Sequence, residues 1–253
     1  LAAYNGTVIT SAMFLTAMVA NPLSVQLASD QGISITWGMW ALAAVVPGVV
    51  SLIVIPLVIY RLLPRSGVET PHAPAAAKKA LATMGPVKRS ERLMATISIV
   101  LLAAWIAGPA IGLETTAAAL MAIAALLLTG VLTWDEMSGD HEAWNTFIWF
   151  AVLVMMATYL GRFGLIQWFT EQVASMFGGV GWVPGFLGLI LVYFYSHYFF
   201  ASITAHVSAM YAPFLAVALA LGAPPLFAAL VLAFFSNLFA SLTHYGTAPA
   251  PIL

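Results

Sequence analysis

The residues able to do chemistry are uncharged and interrupt apolar runs at three places: Thr16-Ala17-Met18-Val19-Ala20-Asn21-Pro22, Ser202-Ile203-Thr204-Ala205-His206-Val207-Ser208, and Thr243-His244-Tyr245-Gly246-Thr247-Ala248-Pro249-Ala250-Pro251. Hydroxyls, an amide and imidazoles sit there beside Gly and Pro. A helix broken at such a point frees backbone N–H groups at one end and carbonyls at the other, and the new N-terminus carries partial positive charge. An anion can be held by the N–H groups and hydroxyls, and a sodium ion by the carbonyls, with no charged side chain. Each signal also has a plainer reading. Ser and Thr in apolar helices often bond back to a carbonyl or pack as small residues. His206 and His244 are either satisfied core histidines or, as ionisable groups in apolar helices, functional ones. His72 and His141 fall in loops, His197 reads as interfacial, and Asn237 reads as a polar link between helices. A serine with a histidine nearby also allows an intramembrane serine hydrolase using Ser202 or Ser208 with His206 or His244. No Gly-x-Ser-x-Gly elbow and no carboxylate to orient either histidine supports that alternative.

The surroundings of these breaks are apolar to a degree that excludes an ordinary water-soluble enzyme. Of 253 residues 62% are hydrophobic and 7% charged, with 8 Lys+Arg against 9 Asp+Glu, and mean hydropathy is +1.01. A soluble domain carries about 25% charged residues. The near-zero net charge gives nucleic acid no electrostatic footprint. The absence of cysteine removes disulfides, thiolate chemistry and Cys-type zinc sites.

A bilayer core needs about 20 apolar residues in a helix, and several stretches supply them. Residues 1–29 form an uncharged broken helix, and 30–63 a transmembrane helix containing Pro47 and Pro56. Residues 64–92 read as a linker with a short surface helix, and 93–134 as two transmembrane helices divided at Gly112-Leu113-Glu114. An acidic loop follows at 135–144. Residues 145–181 read as a transmembrane helix plus an interfacial helix, with apolar residues at 165, 166, 169, 173, 176 and 177 in helical spacing. The stretch 182–222 has two apolar arms too short to span once the polar centre is subtracted, and reads as a re-entrant hairpin; 223–253 reads as a second broken helix, cut short. Arg61, Arg65, Lys78, Lys79, Lys88, Arg89 and Arg92, seven of the eight basic residues, place the linker on the cytoplasmic side by the positive-inside rule. Arg162 and Glu171 then fall on the far side. The fold class expected is an all-α polytopic membrane protein, half of an inverted-repeat transporter with a re-entrant hairpin and discontinuous helices. Interrupted apolar segments in corresponding halves point to a binding site near the midplane.

The runs Ser11 to Leu23, Tyr195-Ser196-His197-Tyr198-Phe199-Phe200-Ala201-Ser202-Ile203-Thr204-Ala205-His206, and Ser236-Asn237-Leu238 through Thr243-His244-Tyr245-Gly246-Thr247-Ala248-Pro249-Ala250-Pro251-Ile252 resemble the divalent anion:sodium symporter family. The likeness is nearest to its branch of dicarboxylate translocators for 2-oxoglutarate, malate, succinate, tartrate or citrate, and it extends along essentially the whole chain. It implies a secondary transporter working by alternating access, not an enzyme, built from two inverted repeats of hairpin plus broken helix. The first hairpin would precede residue 1, so the chain looks like roughly the C-terminal half, itself lacking the last helices, and residues 1–253 alone are expected not to transport.

Carried over residue by residue, the family's hairpin-tip Ser-Asn-Thr motif falls on Ser202-Ile203-Thr204, and its broken helices on Thr16 to Pro22 and Gly246-Thr247-Ala248-Pro249. The substrate-binding residues implied are Ser202, Thr204, His206, Thr243, His244, Thr247, Thr16 and Asn21. Ala201, Ser202, Gly246 and Pro249 would hold sodium if transport is sodium-coupled. Ile203 stands where the motif has Asn, and Ala250 where many symporters have Asn, which favours anion exchange over sodium symport. No cofactor is expected, Na⁺ being a coupling ion if used. The expected partners are the carboxylate, the bilayer and a second copy through scaffold helices, to which 37–60, 93–112 and 115–134 are assigned. The bacterial inner membrane is the expected location, with the plastid inner envelope as the other option.

Overall fold

The computed structural model describes residues 2–62, 72–176, 181–200 and 202–243, and among these it contains helices and turns and no strand. Contacts divide the chain into two compact units, 1–59 with 145–253, and 60–144. Five helical stretches have the length and apolar composition to cross a membrane: Trp37–Leu62, Arg89–Ile111, His141–Arg162, Ile203–Ala220 and Pro225–Leu242.

In the first unit α1 (Ala2–Met13) and α2 (Ala20–Ser29) are the two arms of the first broken helix. The break at residues 14–19 stands because its orphaned carbonyls find donors. Asn21 Nδ2 donates to the carbonyls of Ser11 (2.9 Å) and Phe14 (3.0 Å), and Trp40 Nε1 donates to that of Ala12 (2.9 Å). Non-helical backbone at membrane depth requires this kind of satisfaction from neighbouring groups. Pro22 sits in the first turn of α2, where a missing N–H costs no helix bond. Helix α3 (Trp37–Leu62) runs continuously through Pro47 and Pro56. Its Trp37, Trp40, Ala44 and Gly48 form the buried stripe. A Cβ on Gly48 would lie 2.5 Å from Met13 Cγ, so α1 and α3 approach as closely as a glycine allows. Residues 37–59 fall in the same compact unit as the broken helices.

Also in this unit, the inner part of α8 (His141–Arg162) leads into the amphipathic α9 (Leu165–Met176), which packs on α12. Then α10 (Trp182–Tyr195) and a tight turn over Ser196–Phe199 descend to the tip, and the chain returns through α11 (Ile203–His206), a π-turn at Val207–Tyr211 and α12 (Ala212–Ala220). The returning arm resumes helix at Ile203, seven residues before the Met210 at which the apolar run begins, so Thr204 to Ser208 belong to the arm and not to the turn. Pro224 and Pro225 start α13 (Pro225–Leu238), Pro being suited to a first turn, and a 3₁₀ turn closes it at Phe239–Leu242.

The second unit holds α4 (Ala73–Met84), α5 (Arg89–Ala107, extended by a 3₁₀ turn to Ile111), α6 (Thr115–Leu128) and α7 (Trp134–Ser138). Gly112 at φ +72° makes the reversal between α5 and α6, a conformation open to glycine without strain. Trp105 Nε1 braces it by donating to the Thr115 carbonyl at 3.1 Å. Helix α6 ends at Leu128, short of the 134 expected, because Gly130 turns the chain at φ +68° with Gly130 N and Val131 N donating to the Leu127 and Leu126 carbonyls, and a Thr133–Glu136 capping box then starts α7.

Candidate functional site

Three pieces of the first unit meet around the breaks. α2 packs against α11, the π-turn and α13, and α10 packs against both α12 and α13. The first and second broken helices are tied by their amides: Asn237 Nδ2 donates to Asn21 Oδ1 at 2.7 Å, and also to the Ala233 carbonyl at 3.2 Å. Both amides are buried, so every polar atom of Asn21 is engaged within the protein while Asn237 Oδ1 has no partner among the described residues. The end of α13 is capped from the other broken helix, Tyr4 OH donating to the Ala240 carbonyl. Each broken helix therefore supplies a group to the other's interruption.

The hairpin tip is held by histidines. His206 is fully buried, with Phe200 stacked 4.6 Å from its ring and Phe239 4.4 Å, and Tyr193 at 4.8 Å. His197 is equally buried and stacks on Phe239 at 4.2 Å; the interfacial placement expected for it does not describe this position. The hydrogen bonds fix both tautomers. Ser196 Oγ donates its only proton to the Tyr193 carbonyl at 2.9 Å, so at 3.1 Å it accepts from His206 Nε2–H. His206 Nδ1 is then an acceptor, and His197 Nδ1–H donates to it across 3.3 Å. That leaves His197 Nε2 a bare lone pair, buried and without a partner among the described residues. Two neutral imidazoles satisfy this chain, and two imidazoliums would set N–H against N–H. Both nitrogens of His206 are used internally in this arrangement, so its contribution here is to hold the tip.

The open groups lie one turn away. Ser202 has extended backbone (φ −150°, ψ 139°) at the start of α11 and its hydroxyl caps no N–H. It is exposed, Thr204 is half-buried, and Ile203 between them turns inward at 2% exposure. The N-terminus of α11 thus presents N–H groups with no side-chain cap beside a hydroxyl that has no partner among the described residues. At the other break Thr16 is exposed and its Oγ1 accepts from Trp37 Nε1 at 3.5 Å, and Val19 gives α2 no side-chain cap. Thr243 is buried with Oγ1 unpartnered among the described residues. His244, Thr247, Ala201, Gly246 and Pro249 lie outside the described residues. No Asp, Glu, Lys or Arg occurs after Glu171, so the electrostatics here come from helix ends and dipoles.

Among the described residues neither Ser202 nor Ser208 is hydrogen-bonded to His206, and His244 lies outside them. Ser208 Oγ donates to the Thr204 carbonyl at 2.8 Å and the Ala205 carbonyl at 3.0 Å, and the serine that touches His206 is Ser196, already committed as donor to Tyr193. Tyr193 and Ser236, joined at 2.7 Å, and Trp40 are parts of the assembly that the sequence pattern did not single out. A tyrosine or tryptophan in an apolar helix carries no mark of its partner.

Over residues 1–253 the chain matches the family described as "Sodium:sulfate symporter transmembrane region". It is 48% identical over 255 residues to dicarboxylate transporter 1, chloroplastic, of Spinacia oleracea, covering 100% of this chain and 45% of that protein. It is 40% identical over 247 residues to dicarboxylate transporter 2, chloroplastic, of the same plant, covering 96% and 44%. With inner membrane protein YbhI of Escherichia coli (strain K12) it shares 34% identity over 253 residues, 99% of this chain and 53% of the other. The chain spans about half the length of the curated relatives it matches. An all-helical chain whose apolar helices are interrupted at polar, charge-free breaks, and which matches along its whole length, belongs to the sodium:sulfate symporter transmembrane family.

Proposed function

We propose that this chain forms one half of a dicarboxylate transporter's binding site and works by exchange of anions through alternating access. The observation that carries the reading is the uncapped N-terminus of α11 with the free hydroxyl of Ser202, in a sequence with no charge after Glu171. Helix N-termini bind carboxylates through N–H groups and the dipole, and they hold an anion loosely enough to release it. Ser202 and Thr204, with Thr16 and the start of α2, contact the carboxylates, and residues of the second break, Thr243, His244 and Thr247, complete that side. The dicarboxylate names carried by the spinach relatives support the substrate class.

The hairpin is re-entrant in this reading. Helix α10 has 14 residues, about 21 Å at 1.5 Å per residue, against a hydrocarbon core of about 30 Å. The mobile part contains both broken helices and the hairpin, and a second copy docks through the remaining spans. The chloroplastic and inner-membrane names of the relatives support either a plastid envelope or a bacterial inner membrane as the site of action.

Labelled malate or 2-oxoglutarate counterflow in vesicles containing the full-length protein is the test. Exchange predicts uptake only with dicarboxylate inside and no acceleration by an inward Na⁺ gradient, and Ser202→Ala lowers it at least tenfold. Uptake driven by Na⁺ into vesicles without internal substrate would instead support symport. The unpartnered Asn237 Oδ1 is the observation that favours that second reading.

A further inference from the structure

A second cavity of the first unit lies away from the breaks. About 640 Å³ in volume, it is walled by the end of α2, the end of α8, α9 and α12, and it contains Asp30, Arg162 and Glu171 together with Gln31, Gln167 and Thr170. Small residues, Ala157, Gly161, Ala212 and Ala216, open the space. Three of its wall residues, Ala157, Ile166 and Ala212, are shared with an apolar cavity of about 190 Å³ that continues between α9 and the π-turn, lined by Leu160, Leu165, Trp168, Phe169, Met210 and Pro213. A polar chamber, lined in part by charged and amide side chains, thus shares a wall with a greasy one.

The polar chamber is built for two opposite charges. The Arg162 guanidinium lies over the Tyr159 ring, 5.5 Å from its centroid, and makes no ion pair among the described residues. Asp30 is steadied by Gln26 Nε2 donating to Oδ1 at 3.0 Å, and Glu171 by Gln167 Nε2 donating to Oε1 at 3.1 Å. Each carboxylate keeps its second oxygen free. Arg162 ends the apolar span of α8, and α9 is an amphipathic helix immediately after it, so the chamber sits at head-group depth.

We infer that this pair of cavities binds one phospholipid with a zwitterionic primary-amine head group, its phosphate on Arg162, its ammonium between Asp30 and Glu171, and one acyl chain in the apolar cavity. The three charged residues sum to −1, which disfavours a soluble dianion. A quaternary ammonium has no N–H to give the carboxylates, and an anionic glycerol head group leaves both carboxylates unneutralised.

The protein to test is the full-length transporter, purified and delipidated, then exposed to phosphatidylethanolamine, phosphatidylcholine or phosphatidylglycerol and read by native mass spectrometry. The expected result is one retained phosphatidylethanolamine per protomer, with at least fivefold weaker retention in Arg162→Ala and Ala216→Phe. Arg162 is exposed, so its replacement removes the charge without disturbing the core, and it decides the matter if Ala216→Phe does not fold. Equal retention of all three lipids, or unchanged retention in Arg162→Ala, overturns the inference. Residues 1–253 contain no cysteine, so a further arm is Thr158→Cys in the full-length protein with any cysteine outside them replaced, labelled with a thiol reagent. Labelling blocked by phosphatidylethanolamine supports the site. Labelling absent without lipid means that another part of the longer chain fills the cleft, and protection by malate alone means that it belongs to the substrate path; either result overturns it.

Discussion

Two kinds of membrane-length helix coexist in this chain, and their mean hydropathy does not separate them. His141–Arg162 and Ile203–Ala220 are nearly equal in that measure, yet 6% of the first span's most apolar window is buried against 56% of the second's. Trp37–Leu62 and Arg89–Ile111, at 11% and 6%, belong with the former, and Pro225–Leu242, at 50%, with the latter. The exposed class presents large side chains to its surroundings, among them Val46, Val50, Ile53, Ile99 and Phe147. The buried class carries small residues and uncharged polar ones, Ala228, Ala229, Ala233, Ser236 and Asn237, that join helices through hydrogen bonds. In lipid, apolar surface gains little by leaving one greasy environment for another, so association falls to close packing and polar links.

The largest effect that distinction predicts is at the amide pair. Asn21→Ala removes two donors and an acceptor at once, taking a donor from the Ser11 and Phe14 carbonyls and leaving one Asn237 Nδ2 N–H unpaired in a buried setting. An unsatisfied buried group costs about 1–3 kcal/mol, so the expected loss is about 3–5 kcal/mol, read as a fall in thermal stability in detergent or loss of folded yield. Val50→Ala on the exposed face of α3 is the matched control, with a change of about 0.5 kcal/mol or less. Equal effects of the two would erase the division.

Next is His197. His197→Phe keeps the stack on Phe239 but deprives His206 Nδ1 of its donor, whereas an asparagine offers an N–H near the same place. Counterflow by the full-length protein is expected to fall about tenfold in His197→Phe, matching the 1–3 kcal/mol of one unpaired buried acceptor, and His197→Asn is expected to recover most of it. If His197→Phe matched the unaltered protein and His197→Asn failed, ring packing and not the hydrogen bond would be what holds the tip.

Gly48 probes close packing without polarity. Gly48→Leu forces side-chain atoms into Met13, and overpacking of this kind costs about 1–3 kcal/mol. Adding Met13→Ala should return part of the loss, a coupling visible in a double-mutant cycle. Additive losses would mean that α1 and α3 do not meet there in the folded protein.

The exposed spans could be read from residue types, because an apolar run of sufficient length has one physical meaning. So could the position of the first break, where Thr16 and Asn21 stand beside Pro22, although proline alone does not mark one, since α3 runs through Pro47 and Pro56. What could not be read was the pairing across the breaks. Asn21 meets Asn237 from 216 residues away, Tyr4 reaches the Ala240 carbonyl, and His197, read as interfacial, is buried while its neighbours Tyr198 and Phe199 are exposed. Periodicity reports which face is apolar and is silent about which distant carbonyl lacks a donor. The contacts of α3 were silent for the same reason: Gly48 and Trp40 are ordinary membrane-helix residues until Met13 and the Ala12 carbonyl are beside them.

The smallest expected effect marks the outer limit of the comparison, at a short helix with no buried residue. Helix α7 is exposed, and its start depends on Thr133 Oγ1 and N both donating to Glu136 Oε2, at 2.7 and 2.8 Å, while Glu136 N donates back to Thr133 Oγ1 at 3.2 Å. These bonds, the threonine hydroxyl's first, hold the Glu136 carboxyl below its ordinary value. A carboxylate with a lowered folded pKa stabilises above its unfolded value, and that contribution is lost as pH falls through the folded one. Amide exchange across α7 should therefore accelerate as pH drops below about 4.3, the ordinary glutamate value, beyond the intrinsic pH dependence of exchange. Thr133→Ala should remove most of that pH dependence by taking away the leading cause. The turns tied by Asn21 and Asn237, with the nearest carboxylate, Asp30, at the far end of α2, should show no such acceleration over the same range. If they fray together with α7, the polar links between the broken helices are not independent of the charged segment, and the boundary between the two kinds of helix has been drawn in the wrong place.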